Sequence, residues 1–337
     1  MSAAGAGRPL GSILVGFGHA GRDLHLPCLA RMPERRVLGI VDPAAAVAPD
    51  LPVPIVPDLS LLPRGDPAGA VVHVCVPPAR HADVVARAAA LGYRRFIVEK
   101  PLADSRAGAA AIAGLAERDG LDVVVVANWL FSGLTDRVRE ELDRAGPPAL
   151  LRMRQSKMRV SRTLAAPAPE TAWAVEMPHM VALAVHLLGE DVALRRAAAA
   201  DLVVGSRRVA AMGSADMRLR VGGVDVHLSS DLASPVRERW VDVAWAGGTG
   251  LRGHLSADAS ELWSELTWRS TGGPAPARCL FRDDTLERLV RQAYAWFEGR
   301  GPRPASDLAL HLLVCRLLDE AAAAASGGSP VSLEVLP

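Results

Sequence analysis

The first third of the chain alternates short apolar runs with segments of helical periodicity. Each run is continuous and rich in valine or isoleucine, which is typical of parallel strands buried on both faces of a sheet. The runs are residues 12–15, 36–41, 71–76, 95–98 and 122–127. Helical patterns lie between them, most clearly at 81–91 and 105–119. This alternation predicts a doubly wound α/β domain with a parallel sheet.

Beyond residue 150 the apolar positions follow a different period. Residues 217–221 and 224–228 alternate between apolar and polar, and Gly222-Gly223 joins them in a pattern that favours a two-residue hairpin turn. Residues 240–245 and 262–268 alternate in the same way. Helices are predicted at 176–188, 286–297 and 305–325. The second part is therefore predicted to be an α/β domain with an open, mainly antiparallel sheet.

Length and bulk composition bound the possible functions. A chain of 337 residues with 50% hydrophobic content favours two domains. The formal net charge of +1 provides no field to attract nucleic acid or an anionic membrane, so we expect neither as a partner. No apolar stretch reaches the length of a membrane span, and the N-terminus lacks the layout of a signal peptide. A cytoplasmic location is the expectation.

The cysteines and lysines narrow the chemistry further. Four cysteines, Cys28, Cys75, Cys279 and Cys315, are far apart in the sequence, which predicts buried free thiols and neither a metal site nor a disulfide framework. Only two of the 38 basic residues are lysines, and the chain has a single asparagine. A lysine that persists in an arginine-rich chain is a mild indication that a titratable ammonium is needed there.

A glycine motif follows the first apolar run and opens a helical segment. It reads Gly16-Phe17-Gly18-His19-Ala20-Gly21. In this strand–turn–helix setting Gly16 permits the tight turn, Gly18 lets a pyrophosphate approach the backbone, and Gly21 lets helix and strand pack closely. The pyrophosphate would bind at the start of the helix. The motif predicts a Rossmann domain that binds a dinucleotide.

Asp42 closes the second apolar run, where a carboxylate can accept hydrogen bonds from ribose hydroxyls. The same carboxylate would repel a 2′-phosphate. The following Pro43-Ala44-Ala45-Ala46 has no arginine to neutralise one. We therefore expect NAD as the cofactor, with NADP as the weaker candidate.

Three more motifs end the later apolar runs. They are Val74-Cys75-Val76-Pro77-Pro78-x-x-His81, Val98-Glu99-Lys100-Pro101 and Val126-Ala127-Asn128-Trp129. Together with the glycine motif, they make the chain resemble the Gfo/Idh/MocA family, that of glucose–fructose oxidoreductase and inositol dehydrogenase. The match is strong over residues 12–135 and weaker beyond. The resemblance implies a Rossmann domain at 1–128 and a substrate-binding and oligomerisation domain at 129–337, whose last helix packs back on the first. It also implies a homodimer or homotetramer.

The resemblance implies roles for the motif residues. Lys100 would lie beside the nicotinamide and the reacting hydroxyl, and Glu99 near the cofactor ribose. Pro77 and Pro78, with His81 in the same segment, would line the cofactor cleft. Asn128 would face the active site. Independently, ligands of open α/β sheets bind beyond the carboxyl ends of the strands, where an ammonium can exchange a proton with a substrate oxygen. The alternative for Lys100 is a surface salt bridge with Glu99.

In the resembled family an Asp-x-Gly-x-His motif starts a helix of the second domain, and its histidine completes the active site. Here the segment reads Val175-Glu176-Met177-Pro178-His179, so His179 aligns with the histidine while the aspartate and glycine are replaced. Glu176 lies three residues before His179 and can share its helix face. We hypothesise that Glu176 replaces the aspartate. The alternatives are a helix-dipole role for Glu176 and a structural role for His179.

Lys157 and Trp129 are candidates for contact with the substrate. Lys157 lies on an arginine-rich, strand-like segment, residues 151–160, and it would bind a phosphate or hydroxyl group of the substrate or else be solvated.

The expected function is NAD-dependent interconversion of a secondary alcohol and a ketone on a small-molecule substrate: a sugar, cyclitol or nucleotide-sugar. Lys100 and His179 would manage the hydroxyl proton, with Glu176 as a third catalytic candidate. Two alternatives stay open. One is reduction of an imine or enoyl bond on the same fold, which the altered Asp-x-Gly-x-His motif favours. The other is a non-enzymatic NAD-sensing regulator, which would not need Lys100 and His179.

Overall fold

The computed structural model describes residues 9–44, 53–63, 65–165, 171–256, 262–269, 277–326 and 331–335. The chain divides into two compact units. The first is Met1–Val126 with Leu286–Leu312, and the second is Ala127–Thr285 with Leu313–Pro337. The segment Leu286–Leu312 thus groups with the first unit, and the domain boundary at residue 128 stays a prediction.

The secondary structure of the described residues follows the predicted alternation. The strands are β1 (Gly11–Val15), β2 (Val37–Val41), β3 (Ile55–Val56), β4 (Ala70–Val74), β5 (Arg95–Val98), β6 (Asp122–Val125), β7 (Leu150–Ser156), β8 (Val192–Val204), β9 (Arg207–Val221), β10 (Val224–Asp231), β11 (Glu238–Ala244), β12 (Gly250–His254), β13 (Trp263–Arg269), β14 (Arg278–Arg282) and β15 (Val331–Val335). The α-helices are α1 (Leu26–Ala30), α2 (His81–Ala90), α3 (Arg106–Asp119), α4 (Gly133–Ala145), α5 (Val160–Ala165), α6 (Ala172–Val175), α7 (Met177–Leu188), α8 (Thr285–Phe297) and α9 (Leu308–Ser326).

The sheet of the first unit is parallel, with strand order β3-β2-β1-β4-β5-β6. The central strands β1 and β4 are buried along their whole length, as their continuous apolar runs predicted. Because all six strands point the same way, the segments that follow β1, β4 and β5 leave the same edge of the sheet. The predicted Rossmann architecture is confirmed.

The sheet of the second unit has the order β14-β13-β12-β11-β7-β10-β9-β8-β15 in the described residues. Its pairs are antiparallel except β10 with β7 and β15 with β8, which confirms a mainly antiparallel sheet. The β9–β10 hairpin closes through Gly222 and Gly223, whose φ values of 53° and 79° fit the predicted glycine turn.

The two faces of the second sheet differ in chemistry. On one face the apolar helix α7 packs against β7, β9 and β10. On β11 the side chain of Asp242 is buried at 1% exposure and forms ion pairs with three partly exposed arginines. These are Arg152, Arg252 and Arg269. None of the described helices combines the length and apolar composition needed to cross a bilayer.

A buried polar contact ties the returning segment to the first sheet. The backbone N–H of Val125 donates to the carbonyl of Ser306 at 3.0 Å, and the Ser306 hydroxyl donates to the carbonyl of Val125 at 2.6 Å. Since that hydroxyl has only one proton, it accepts from Nε2–H of His311 at 2.8 Å. Burial lowers the pKa of His311 to about 3, so this imidazole is neutral in the folded protein.

We predict that His311 makes the protein acid-sensitive. An unfolded histidine binds a proton below about pH 6.5, whereas folded His311 stays neutral down to about pH 3. The free energy of unfolding should therefore fall as the pH drops through this window, by about 1.4 kcal/mol per pH unit from this residue. Urea unfolding from pH 7.5 to 4.5 measures the slope. In His311→Gln the slope of the unfolding free energy against pH should be smaller by about 1.4 kcal/mol per pH unit. An unchanged slope would contradict a neutral His311 in the folded protein.

Candidate functional site

The glycine motif forms a narrow turn between β1 and the first helical segment. Gly16 has φ of 98°, and its N–H donates to the carbonyl of Val41 at 2.8 Å. A Cβ on Gly16 would lie 2.7 Å from the backbone of Cys75. A Cβ on Gly21 would lie 2.1 Å from the carbonyl oxygen of Gly16. Both positions therefore require glycine, for the turn and for close packing of the helix on the strand.

Gly18 differs from the other two motif glycines. Its φ of −75° suits any residue, and a Cβ there would meet no described atom within 4 Å. The missing side chain thus leaves room beside the backbone at the start of the helical segment, as a bound pyrophosphate requires. His19 and Ala20 lie in the first turn of this segment, His19–His25, and His19 is exposed and bonds Asp23 at 2.9 Å. These features fit a dinucleotide.

Asp42 fixes the turn of the glycine motif through both oxygens of its carboxylate. Its Oδ2 accepts the N–H of Phe17 at 2.6 Å, and its Oδ1 accepts the N–H of Ala44 at 2.8 Å. Each carboxylate oxygen has a second lone pair, so ribose hydroxyls can still be accepted. The carboxylate that the sequence predicts to bind the ribose therefore also fixes the backbone of the glycine motif.

His81 lies beneath the Pro77-Pro78 turn that follows β4. The ring is buried, with Nε2 at 2.9 Å from the carbonyl oxygen of Val76 and Nδ1 at 3.1 Å from that of Leu102. Burial lowers its pKa, although the carbonyl contacts oppose this. These contacts link the proline turn to the chain just after Lys100. They give His81 a positioning role, and its predicted contact with the cofactor stays a prediction.

Glu99 and Lys100 follow β5, at the same sheet edge as the glycine motif. The Lys100 N–H donates to Oε2 of Glu99 at 3.2 Å, and Oε1 of Glu99 lies 3.0 Å from Nε2 of His25. Burial would raise the pKa of Glu99. The hydrogen bond and charge of His25, together with the charge of Lys100, outweigh burial and hold the pKa below its ordinary value. Glu99 is therefore an ionised carboxylate between two basic groups.

Four buried groups behind Glu99 belong to none of the predicted motifs: His25, His73, Tyr294 and Ser12. One of them left a signal in the sequence, because His73 interrupts an otherwise apolar run. The others lie on separate elements, β1, the segment before α1 and α8, so no local pattern could connect them.

In the second unit, Trp129 and His179 form a stacked pair. Their ring centroids are 5.8 Å apart and the ring planes differ by 12°. Trp129 is buried, the Thr135 hydroxyl donates to its backbone carbonyl at 2.6 Å, and its indole packs along the His179 ring. The neighbouring Asn128 donates through Nδ2 to the Thr285 hydroxyl at 3.1 Å. The cofactor role of Asn128 and the substrate role of Trp129 stay predictions.

Glu176 forms an ion pair with Lys157. Glu176 lies between α6 and α7, at the residue before α7 begins, and its side chain is 1% exposed. Burial lowers the pKa of Lys157, and the attraction of Glu176 opposes this effect. The structure thus joins two residues that sequence reasoning assigned separately, Glu176 to His179 and Lys157 to substrate. Glu176 as a substitute for the missing aspartate stays a hypothesis.

No group of three or more His, Cys, Asp or Glu among the described residues is arranged to hold a metal ion.

Comparison with known proteins agrees with this site. Residues 10–127 match the GFO_IDH_MocA model, described as an oxidoreductase family with an NAD-binding Rossmann fold. Over residues 10–127 the chain is therefore similar to the Gfo/Idh/MocA family. The matched residues include the glycine motif, Asp42, the proline turn and the Glu99-Lys100 pair. The resemblance inferred from the motifs is confirmed.

Solved structures of similar fold extend over nearly the whole chain. The 3-ketoreductase KijD10 from Actinomadura kijaniata, in complex with TDP-benzene and NADP, is 18% identical with a TM-score of 0.78, over 98% of this chain and 99% of that one. UDP-N-acetylglucosamine 3-dehydrogenase GnnA from Acidithiobacillus ferrooxidans is 18% identical with a TM-score of 0.73, over 94% and 98%. At this identity the likeness establishes the fold.

A curated relative covers less of the molecule. An uncharacterized protein of Saccharomyces cerevisiae is 30% identical over 146 residues, which are 41% of this chain and 42% of the relative. The match therefore spans under half the length of that relative.

We predict that the motif glycines separate binding from folding. Gly18→Ala should leave the thermal midpoint unchanged but raise the NAD dissociation constant by about tenfold, roughly 1.4 kcal/mol, because the methyl group fills the space for the pyrophosphate. Gly21→Ala should lower stability by about 1–3 kcal/mol, because its methyl group collides with the backbone of Gly16. Calorimetric titration and thermal unfolding measure the two effects. Equal destabilisation by both substitutions would contradict the distinction.

We also predict strong coupling between Lys157 and Glu176. Lys157→Met should lower the free energy of unfolding by about 3–5 kcal/mol, because it leaves the buried Glu176 carboxylate without its cation. Adding Glu176→Gln should recover at least half of that loss, since the unpaired charge is then gone. Urea unfolding of the wild type, both single variants and the double variant completes the cycle. Additive losses would show that the ion pair has little energetic weight.

Proposed function

We propose that this chain is an NAD(P)-dependent oxidoreductase that interconverts a secondary alcohol and a ketone on a sugar or a related polyol, with NAD as the preferred cofactor. The observation that carries the proposal is the position of Lys100. It follows β5 at the sheet edge where the glycine motif leaves β1, with β4 between them. A titratable ammonium at the dinucleotide-binding edge suits proton exchange with a substrate oxygen.

The chain's own residues supply binding and proton handling. Gly18 leaves space for the pyrophosphate, and Asp42 would accept from the ribose. The nicotinamide would exchange the hydride with the substrate carbon. In the oxidative direction we assign the substrate hydroxyl proton to the neutral amine of Lys100, and in the reductive direction the ammonium returns it to the alkoxide. The neighbouring carboxylate of Glu99 stabilises this proton on Nζ of Lys100.

His179 is proposed as a second proton-handling residue. Its ring stacks on Trp129, and it is the third residue of α7, which begins after the break at Glu176. An imidazole titrates close to neutral pH, so it can exchange protons with a substrate hydroxyl without a large change in its surroundings. Lys157, held by Glu176, is proposed to bind a polar or anionic group of the substrate.

A nucleotide-sugar is the first substrate class to test. KijD10 and GnnA, named for reactions on sugar nucleotides or crystallised with a TDP ligand, share this fold. Purified protein should be offered nucleotide-sugars, free sugars and inositols with NAD or NADP, and the absorbance of the reduced nicotinamide followed. Hydride transfer with any of them supports the proposal. Cofactor binding without turnover across the panel would favour the sensing regulator.

We predict that Lys100→Arg lowers turnover by roughly 10²–10⁴-fold while the NAD dissociation constant changes by less than about threefold. Arginine keeps the positive charge but cannot release a proton at working pH. Arg106→Met, which removes an exposed cation from the start of α3, serves as the matched control and should keep full turnover. Steady-state kinetics and NAD titration measure both quantities. Full turnover in Lys100→Arg would remove Lys100 from the mechanism.

A homodimer or homotetramer in the cytoplasm is part of the proposal. The family resemblance and the open sheet of the second unit support the assembly, and the four cysteines, none of them in a disulfide, support the location. Sedimentation equilibrium at working concentration tests the assembly, and a monomer would refute it.

A further inference from the structure

Five side chains of the first unit form one continuous hydrogen-bonded series, here called the polar network: Glu99, His25, His73, Tyr294 and Ser12. Oε1 of Glu99 lies 3.0 Å from Nε2 of His25, and the Nδ1 atoms of His25 and His73 are 2.9 Å apart. Nε2 of His73 is 3.0 Å from the Tyr294 hydroxyl, which is 2.6 Å from Oγ of Ser12. The proposed function uses only its first member.

The polar network is shielded from water. His25, His73, Tyr294 and Ser12 are fully buried, and the side chain of Glu99 is 14% exposed. The four come from different parts of the first unit: β1, the helical segment before α1, β4 and α8. A buried polar series of this length is stable only when each donor meets an acceptor, so its protons have defined positions.

Two proton arrangements satisfy every contact. In one, His25 is an imidazolium that donates to Glu99 and to Nδ1 of His73, His73 donates to Tyr294, and Tyr294 donates to Ser12. In the other, His25 is neutral and the donations from His73 onward are reversed. The buried carboxylate of Glu99 favours the first, because it places a positive charge directly against it.

The acid–base surroundings agree with the first arrangement. Burial alone would lower the pKa of His25, but its interactions with Cys75 and Glu99 outweigh burial and raise the pKa well above its ordinary value. Burial lowers the pKa of His73, and the charge of His25 lowers it further. The charged member of the histidine pair is therefore His25.

His81 also faces Glu99. Burial lowers the pKa of His81, although the carbonyl contacts of its two ring nitrogens oppose this effect. Lys100 faces Glu99 from the next position in the chain. The charge of Glu99 is consequently shared between His25 and Lys100.

We propose that His25 is a positioning residue for the reaction: its imidazolium, oriented by His73 and Tyr294, balances Glu99, so that the adjacent Lys100 ammonium releases its proton more readily. Without His25, the full charge of Glu99 would hold the proton on Lys100. This inference rests on the proposed function, in which Lys100 takes the substrate proton.

The charge state of His25 is measured first, on the unaltered protein. Nitrogen NMR of the imidazole rings should show His25 protonated at both nitrogens between pH 6 and 8, and His73 protonated at one. The signals are assigned with His25→Gln and His73→Gln. A neutral His25 at pH 7 would overturn the proposal.

The effect on Lys100 is measured without reference to activity. The chain has only two lysines, so selective labelling yields two side-chain signals, and Lys157→Arg identifies that of Lys100. In His25→Gln, which keeps a donor toward Glu99 but no charge, the titration midpoint of Lys100 should rise by about one pH unit. An unchanged midpoint in folded His25→Gln would overturn the proposal.

His311→Gln is the matched control, because it makes the same chemical change at another buried histidine of the first unit. It should leave the Lys100 midpoint in place. Tyr294→Phe keeps the ring and removes only the hydroxyl, so it should shift the midpoint in the same direction by less. Equal shifts of the Lys100 midpoint in His25→Gln and His311→Gln would show a general effect of destabilisation, and they would overturn the proposal.

Kinetics connect the result to the reaction. For alcohol oxidation by His25→Gln, the acid limb of the pH–rate profile should move to higher pH by about one unit, with kcat at neutral pH about tenfold lower. KM for the substrate should change little. A shifted lysine midpoint without a shifted limb would overturn the catalytic part of the inference. Full turnover in Lys100→Arg would instead refute the proposed function, whatever the NMR titration shows.

Discussion

The close approach of three chain segments at the end of β1 constrains the first unit more than any other contact. The carbonyl oxygen of Gly16 occupies the space that a Cβ on Gly21 would need, and Cys75 lies against Gly16 from the end of β4. Asp42 holds the N–H of Phe17 from the end of β2. The helical segment can therefore start directly above the sheet edge. This short connection also carries His25 back under the edge, where it meets Glu99.

The second consequence of that geometry is electrostatic. Parallel strands bury both faces, so a carboxylate at their carboxyl end loses much of its hydration and needs a positive partner. Glu99 has one on each side, His25 below and Lys100 next in the chain. A carboxylate with a single cation would hold that cation's proton firmly. With two, each cation receives only part of the stabilisation, which suits a group that must both accept and return a proton.

Much of the fold was visible in the sequence, because it depends on local pattern. Continuous apolar runs marked the parallel strands, and Gly222-Gly223 marked the hairpin. The contacts that complete the site are long-range and left little trace. Tyr294 reaches Ser12 and His73 from α8, which follows β14, and no periodicity relates those positions. Only His73, polar within an apolar strand, carried a signal.

Glu176 shows why helical spacing alone cannot identify all the partners of a side chain. A spacing of three residues places Glu176 and His179 on one face only if the helix is continuous through both. Glu176 instead occupies the junction of α6 and α7, with φ of −117°, and its side chain reaches Lys157 beyond the end of β7. Each of the chain's two lysines thus neighbours a buried glutamate. The proton affinity of a lysine ammonium responds to burial and to such a neighbour, whereas an arginine stays protonated. This difference gives a physical reason for lysine, and not arginine, at positions 100 and 157.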